Sequence, residues 1–326
     1  WLPLRLANPS GLLPASVAGY LGHALVTFRE ETGGRRFPRR WLLLQYAVNI
    51  SVCSLLPLLD APTVVLVFTP TVLNALIWNR AARVVLHQRQ RSGCPAIHAD
   101  DLGLDAGVDS AILELAEAGR LTSASLLVAG PTAPSAAAAW QSLANTQPLV
   151  LHLCLTEGPQ PQDCPDLPAG FGDLLLGSLR PAKRHALRAQ VETAVQSQIH
   201  RFQQLTGQRQ IQLDGHQHVH LLPLVLEVVL EQREIVWVRT TAEPLPQGLP
   251  LTLWIKALNN GGLLKWLVLQ SLTWLARRRL THAGISSNRR FAGVLFTGQM
   301  AGVALEAAQE SLGDGDLLLA HPAAPV

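Results

Sequence analysis

Apolar and polar positions alternate in two different ways along this chain. From residue 94 onward, short apolar runs are separated by stretches whose apolar residues recur at helical spacing. CPAIHA (94–99), SASLLVAG (123–130), PLVLHLCL (148–155), RQIQLDGH (209–216), EIVWVRTT (234–241) and the terminal DLLLAHP (316–322) read as strands. Helical patterns fall between them at 105–119, 132–145, 181–206, 222–232, 263–279 and 303–312. Strands alternating with helices imply a parallel sheet with crossover helices. At least six such units in 92–326 favour a (β/α) barrel, an α/β fold, over an open sheet.

The first 91 residues follow another rule. Residues 41–59 and 61–78 are two charge-free apolar stretches separated by Asp60, and a weaker third runs from Gly11 to Phe28. A spanning helix needs about 20 mostly apolar residues, so two to three transmembrane helices within residues 11–79 are expected. Gln45, Asn49, Asn74, Pro57 and Pro70 interrupt the stretches, and a helical hairpin buried in a globular domain is the competing reading.

Composition sharpens this division. The chain has 326 residues, of which 48% are hydrophobic and 15% charged. Disorder is excluded, because it requires low hydrophobicity and high net charge. With 25 Gly and 22 Pro in no period and four Cys, neither a fibrous repeat nor a disulfide scaffold fits. The formal charge of +3 is an average: residues 1–91 hold ten Arg and three acids, while residues 92–326 are net acidic. Arg29, Arg35, Arg36, Arg39 and Arg40 precede the first apolar stretch, and Arg80, Arg83, Arg89 and Arg91 follow the second. The positive-inside rule puts both clusters, and everything after residue 91, on the cytoplasmic side of a membrane. A nucleic-acid patch is disfavoured because the clusters bracket apolar runs without interleaved aromatics. The first residue is Trp1, with no basic n-region before an apolar core, so no signal peptide is read here.

Chemistry concentrates at strand ends, where α/β folds place it. Three ends stand out: Asp100-Asp101, His152, and Asp214-Gly215-His216-Gln217-His218-Val219-His220. His321 closes the last strand. Carboxylate and neutral imidazole are the ligand set of a borderline divalent ion. Two His and one Asp leave positions open for water, and a second, unligated Asp can take its proton. Either of Asp100 and Asp101 could ligate while the other serves as base. His216, His218 and His220 share one face if the strand continues through them. Each group also has a plain structural explanation: a helix cap for the Asp pair, a hydrogen-bonded core residue for His152, and a small buried hydrophobe for Cys154. No GxGxxG, Walker loop or HExxH helix is present, which argues against dinucleotide, nucleotide and zincin chemistry.

The order IHADDLGL, SASLLVAG, LHLCLTEG, LDGHQHVHLLP and LLLAHP resembles the YdjC-like carbohydrate deacetylases over about residues 94–322. The tract RRFAGVLFTGQM is similar to the hopanoid-biosynthesis-associated subgroup. The N-terminal tract RFPRRWLLLQYAVNISVC…TPTVLNALIWNRAARVVL resembles the second half of GtrA-like membrane proteins, which handle polyprenyl-linked sugars. These resemblances imply a partial GtrA-like domain at 1–91 and a deacetylase domain at 92–326 whose fold is a distorted, incomplete (β/α) barrel. They imply hydrolytic removal of an N-acetyl group from an amino sugar, on a glycan or glycolipid, with one divalent ion, magnesium or zinc. Carried over by motif, Asp101, His152 and His216 are the metal ligands and Asp100 the general base. His321 becomes a candidate general acid, and His218 and His220 candidate substrate contacts. Asn and an aromatic in the family pattern NADDFG are His98 and Leu102 here, and the Ser that precedes the ligand His is Gly215. The rival readings are a non-catalytic membrane protein binding a polyprenyl-linked sugar, and metal-dependent hydrolysis of another bond such as a phosphoester.

Overall fold

A computed structural model describes residues 14–28, 37, 39–55, 62–91, 95–121, 123–143, 148–168, 170–246 and 249–322. Two compact units emerge: Trp1–Gly93 with Leu245–Lys256 and Ala301–Ser311, and Cys94–Pro244 with Ala257–Met300 and Leu312–Val326.

The larger unit is built on seven parallel strands: β1 (Ala96–Leu102), β2 (Ser123–Leu126), β3 (Val150–Leu153), β4 (Ile211–Gly215), β5 (Ile235–Val238), β6 (Phe291–Ala292) and β7 (Leu317–Ala320). Their order is β5-β4-β3-β2-β1-β7-β6, with β5 and β6 at the two ends; β5 is not paired along its length with β6, but an isolated parallel bridge joins Trp237 to Ser286 and Phe291 N–H donates to the Ala242 carbonyl at 3.1 Å. Six strands lie where the apolar runs place them. The seventh, β6, has two residues, too few to leave a period in the sequence. All four residues of β3 are buried, as expected for a parallel strand covered on both faces.

Crossover helices cover the sheet. Of the helices, α1 (Arg39–Leu55) and α2 (Thr63–Arg91) lie in the smaller unit. In chain order there follow α3 (Ala106–Glu117), α4 (Ala133–Ser142), α5 (Phe171–Leu179), α6 (Pro181–Thr206), α7 (Pro223–Leu230), α8 (Leu251–Asn259), α9 (Gly262–Ala283) and α10 (Val303–Ser311); α10 and residues 251–256 of α8 also belong to the smaller unit. The longest crossover, α6, buries Leu187, Val191, Ala194, Val195, Ile199 and Phe202 on one face and ends at left-handed Gly207. Pro181 and Pro223 open α6 and α7 at the first helical position, where a missing N–H costs nothing.

The smaller unit departs from expectation. Among the described residues no helix is long and apolar enough to cross a membrane. The expected two to three transmembrane helices are therefore not found there: α1 has 17 residues, short of the roughly 20 that span a bilayer. The 29-residue α2 runs on through Arg80 and Arg83, which dilute its apolar stretch. Asp60, Pro57 and the arginines at 29–36 lie outside the described residues. Tyr20, Ala24, Phe37, Trp78, Ala81 and Ala82 form a buried apolar cluster here, but elsewhere on α1 and α2 polarity is reversed: Gln45 and Asn49 are buried while Leu43, Phe68, Val72 and Leu76 are exposed.

Candidate metal centre and active site

The loop after β1 fixes the first carboxylates. β1 shifts register between Ala99 and Leu102, and within that irregularity Asp101 adopts a left-handed backbone, φ 69°. Gly103 follows at φ 91°, and its N–H donates to Asp109 Oδ1 at 2.6 Å, in the first turn of α3. Asp105 caps that helix by accepting from Gly107 and Val108 N–H. A Cβ on Gly130 would meet Gly103 O at 1.9 Å, so the neighbouring loop closes tightly on this turn. The bend sends the adjacent carboxylates of Asp100 and Asp101 to different partners.

Asp101 Oδ1 lies 3.4 Å from His152 Nε2 and 3.3 Å from His216 Nδ1. His152 is the penultimate residue of β3, and just past the strand Gln198 of α6 braces Cys154 by accepting from its N–H and donating to its carbonyl. His216 follows β4. Donors bound tetrahedrally to one ion at about 2.1 Å stand about 3.4 Å apart, so this trio fits a single divalent cation. It faces solvent only in part: His152 is buried, Asp101 and His216 half-buried. Two imidazoles and one carboxylate suit zinc, iron or manganese, whereas magnesium prefers oxygen donors and retained waters.

The opposite nitrogen of His152, Nδ1, meets Asp214 Oδ1 at 2.6 Å. Such a carboxylate–histidine pair fixes the ring tautomer and leaves Nε2 free for a metal. Burial works against charge on His152, but the Asp100 and Asp214 carboxylates push it up to about 10. Burial likewise opposes ionisation of Asp101, while hydrogen bonds to His152 and His216 carry its carboxyl well below the usual range.

A second group of His98, Asp100 and Asp214 also brings ligating atoms together. Its cation is already built in. Arg239, at the end of β5 and fully buried, donates to Asp100 at 2.6 and 2.9 Å and lies 2.9 Å from Asp214 Oδ2. His98 Nε2 is 3.0 Å from Asp214 and 3.3 Å from Asp100, and its Nδ1 is 2.7 Å from Ser123 Oγ. Ser125 Oγ bridges Asp100 Oδ1 and His152 Nδ1 at 3.1 and 3.0 Å. Burial would raise the Asp100 carboxyl, yet the Arg239 and His152 charges hold it well below the carboxylate range. Asp100 is therefore held as the carboxylate, with its Oδ2 4.0 Å from His152 Nε2.

The histidine run does not continue as a strand. β4 stops at Gly215, and His216–Leu221 form a 3₁₀ turn in which Gln217 and His218 are left-handed, φ 52° and 60°. The three histidines consequently do not share a face, which corrects that expectation. Only His216 reaches Asp101. His218 is buried against Phe291, and His220 is wholly buried with Nε2 2.8 Å from the Arg239 carbonyl. Burial and the Arg239 charge lower both pKa values, that of His220 to about 4, so both rings are neutral. In these positions they support the site from within rather than offering a surface to substrate. His321 is exposed just past β7, in register with Asp100 because Ala99 pairs with Ala320. No hydrogen bond or ion pair joins it to the trio among the described residues. Burial pushes the Cys154 thiol up to about 11, so it is neither thiolate nor ligand.

Asp214, Arg239, His98 and Ser125 carry no assigned role in the sequence reading. Asp214 adjoins a proposed ligand, and Arg239 interrupts an apolar strand end at VWVRTT; both are signals a closer reading could use.

Comparison with known proteins accords with this geometry. The YdjC-like protein family matches residues 96–326. A carbohydrate deacetylase of Mus musculus is 36% identical over 173 residues, covering 49% of this chain and 54% of that protein. A carbohydrate deacetylase of Brevibacillus brevis is 33% identical over 145 residues, covering 42% and 54%. A chitooligosaccharide deacetylase of Serratia marcescens is 30% identical over 158 residues, covering 48% and 58%. The chain thus spans only a little over half the length of these relatives. The family match extends from β1 through the end of the chain and includes every residue of both carboxylate–histidine clusters, so this chain belongs to the YdjC-like protein family.

Proposed function

We propose that the larger unit is a metal-dependent hydrolase that removes an N-acetyl group from an amino sugar. The observation that carries this reading is the convergence of Asp101 Oδ1, His152 Nε2 and His216 Nδ1 at 3.3–3.4 Å beside an ionised Asp100. A divalent ion held by these three residues supplies Lewis acidity toward the amide oxygen and acidifies a bound water. Asp100 accepts the proton of the attacking water, while Arg239 and Ser125 hold its carboxylate in place. Asp214 keeps the His152 ring oriented. The C–N bond breaks as the nitrogen gains a proton, for which exposed His321 is the candidate donor, giving acetate and a free amine. Arg239 is committed to two carboxylates, and among the described residues no hydrogen bond or ion pair joins another Arg or Lys to the trio, which disfavours the phosphoester reading.

Acetate release from N-acetylglucosamine oligomers, with and without chelator, tests the assignment. Activity should vanish on chelation, return with zinc or another divalent ion, and be abolished by Asp101→Asn. Release that survives both treatments would overturn it.

We propose further that the smaller unit lies against a membrane, with the larger unit on the cytoplasmic side. The reversed polarity supports this: buried Gln45 and Asn49, exposed Leu43, Phe68, Val72 and Leu76. Full-length protein should fractionate with membranes and stay there in high salt; recovery in the supernatant at low salt would refute it.

A further inference from the structure

Helix α9 is apolar on two faces. Its inner face buries Leu269, Leu272, Ala276 and Leu280 in the core of the larger unit. The polar side chains of its first four turns point inward or sideways. Gln270 Nε2 donates to the Thr241 and Glu243 carbonyls at 3.0 and 2.9 Å, and Trp266 Nε1 donates to the Glu243 carbonyl at 3.0 Å. Thr273 Oγ1 is buried 2.9 Å from Thr241 Oγ1, and Lys265 is half-buried.

What remains outward is Leu264, Leu267, Ser271, Trp274 and Leu275. These positions follow one another at intervals of three, four, three and one, so they share one face of the helix. Leu264, Leu267, Trp274 and Leu275 are 67%, 51%, 56% and 45% exposed. The outward face of a helix packed on a globular unit ordinarily carries charge. This one carries none for about three turns, and a contiguous exposed apolar face marks a contact surface.

Charge says what kind of surface it meets. Arg278 is the next outward residue on the same face, and its guanidinium carbon lies 4.0 Å from the centre of the Trp274 ring. The whole segment 244–305 holds seven Lys and Arg and no Asp or Glu, although residues 92–326 together are net acidic. A second copy seated on this face would bring another acid-free, basic segment against Arg278, so self-association has no charge to pair. An anionic lipid surface has. Leucines and a tryptophan on one side with arginine beside them are the pattern of a helix lying in a bilayer interface, where tryptophan sits at headgroup depth and arginine reaches lipid phosphate.

We propose that the outward face of α9 lies in the interface of an anionic membrane, with Leu264, Leu267 and Leu275 at the acyl boundary and Arg278 on lipid phosphate. This contact belongs to the larger unit alone. It depends neither on the hydrolase reading nor on membrane attachment of the smaller unit.

Fluorescence of the full chain on vesicles tests it. Subtracting the emission of Trp274→Phe from that of wild type isolates Trp274, whatever the other tryptophans touch. On phosphatidylcholine vesicles containing phosphatidylglycerol, this difference emission should lose its quenching by acrylamide and gain quenching by acyl-chain-brominated lipid. Half-maximal quenching should need about fivefold more anionic lipid in Arg278→Gln. It should need about tenfold more when Leu264→Ser and Leu267→Ser are combined. Lys183→Gln, at a surface lysine of α6, should match wild type. The substituted positions are exposed, so denaturation midpoints should not move. Trp274 emission that stays open to acrylamide and unquenched by brominated lipid would overturn the proposal, as would equal quenching in wild type and both variants. Protection from acrylamide without quenching by brominated lipid would overturn it too, because a protein partner would then cover the face.

Discussion

Two clusters of carboxylates and imidazoles lie side by side at the ends of β1, β3 and β4, and their composition is nearly the same. One, of Asp101, His152 and His216, has no cation of its own and is partly open to solvent. The other, of His98, Asp100 and Asp214, is buried, and Arg239 neutralises it, with Asp100 Oδ2 standing next to the open trio, 4.0 Å from His152 Nε2. Residue type therefore does not distinguish a place for a metal from a permanent internal salt bridge. What distinguishes them is whether a guanidinium from a distant strand already occupies the position between the carboxylates.

The sharpest way to break this contrast is to remove that guanidinium. Arg239→Met leaves Asp100 and Asp214 buried without their cation and should destabilise the larger unit by about 3–5 kcal/mol, read by chemical denaturation. If added zinc then restored stability, the buried cluster would have become a second metal site. An undiminished stability in the variant without metal would show that the pair is not what holds this region.

Asp214→Asn acts across both clusters at once, since it orients His152 and pairs with Arg239. It should weaken metal affinity about 10- to 100-fold, measured by competition with a chromophoric chelator. Equal affinity in the variant would mean that Ser125 alone orients the ring.

His220 provides a pH-dependent comparison. Its pKa is about 4 in the folded chain against an ordinary value of 6.5, because burial and Arg239 disfavour its charge. The unfolded chain thus binds more protons between these values, and stability is lost as pH falls from about 6.5 towards 4. The slope attributable to this residue is about 1.4 kcal/mol per pH unit. His220→Gln should flatten that part of the profile; an unchanged slope would assign it to other groups.

The smallest effect is expected from His98→Asn, which puts the residue of the NADDFG pattern at this position. An amide can replace only part of the pairing to Asp100, Asp214 and Ser123, so a cost of about 1 kcal/mol is expected, with metal affinity preserved. A large loss of metal binding would join the two clusters into one functional unit.

Much of this was legible in the sequence. Six of the seven strands announce themselves as apolar runs, and Asp101, His152 and His216 stand at the ends of three of them. Two kinds of information were not local. Arg239 lies 139 residues from Asp100, and no spacing rule connects them; only the sheet order β5-β4-β3-β2-β1 does. The fate of HQHVH depended on backbone angles. Gly215 fits where a Cβ would come 2.8 Å from His220 Nδ1, and the chain then turns through two left-handed residues instead of extending. The apolar tracts at 41–59 and 61–78 mislead for a related reason, because absence of charge does not fix how long the helix runs.

The left-handed backbone of Asp101 has one more consequence. Asn tolerates that conformation as readily as Asp, so exchanging one for the other removes an ionic ligand without asking the loop to move. Cation binding and architecture are therefore separable at this single position. A chain carrying Asn there would keep the loop while losing the one anionic donor of the trio. Between a site charged to hold a divalent ion and a neutral one of the same shape stands, in this chain, one side-chain oxygen.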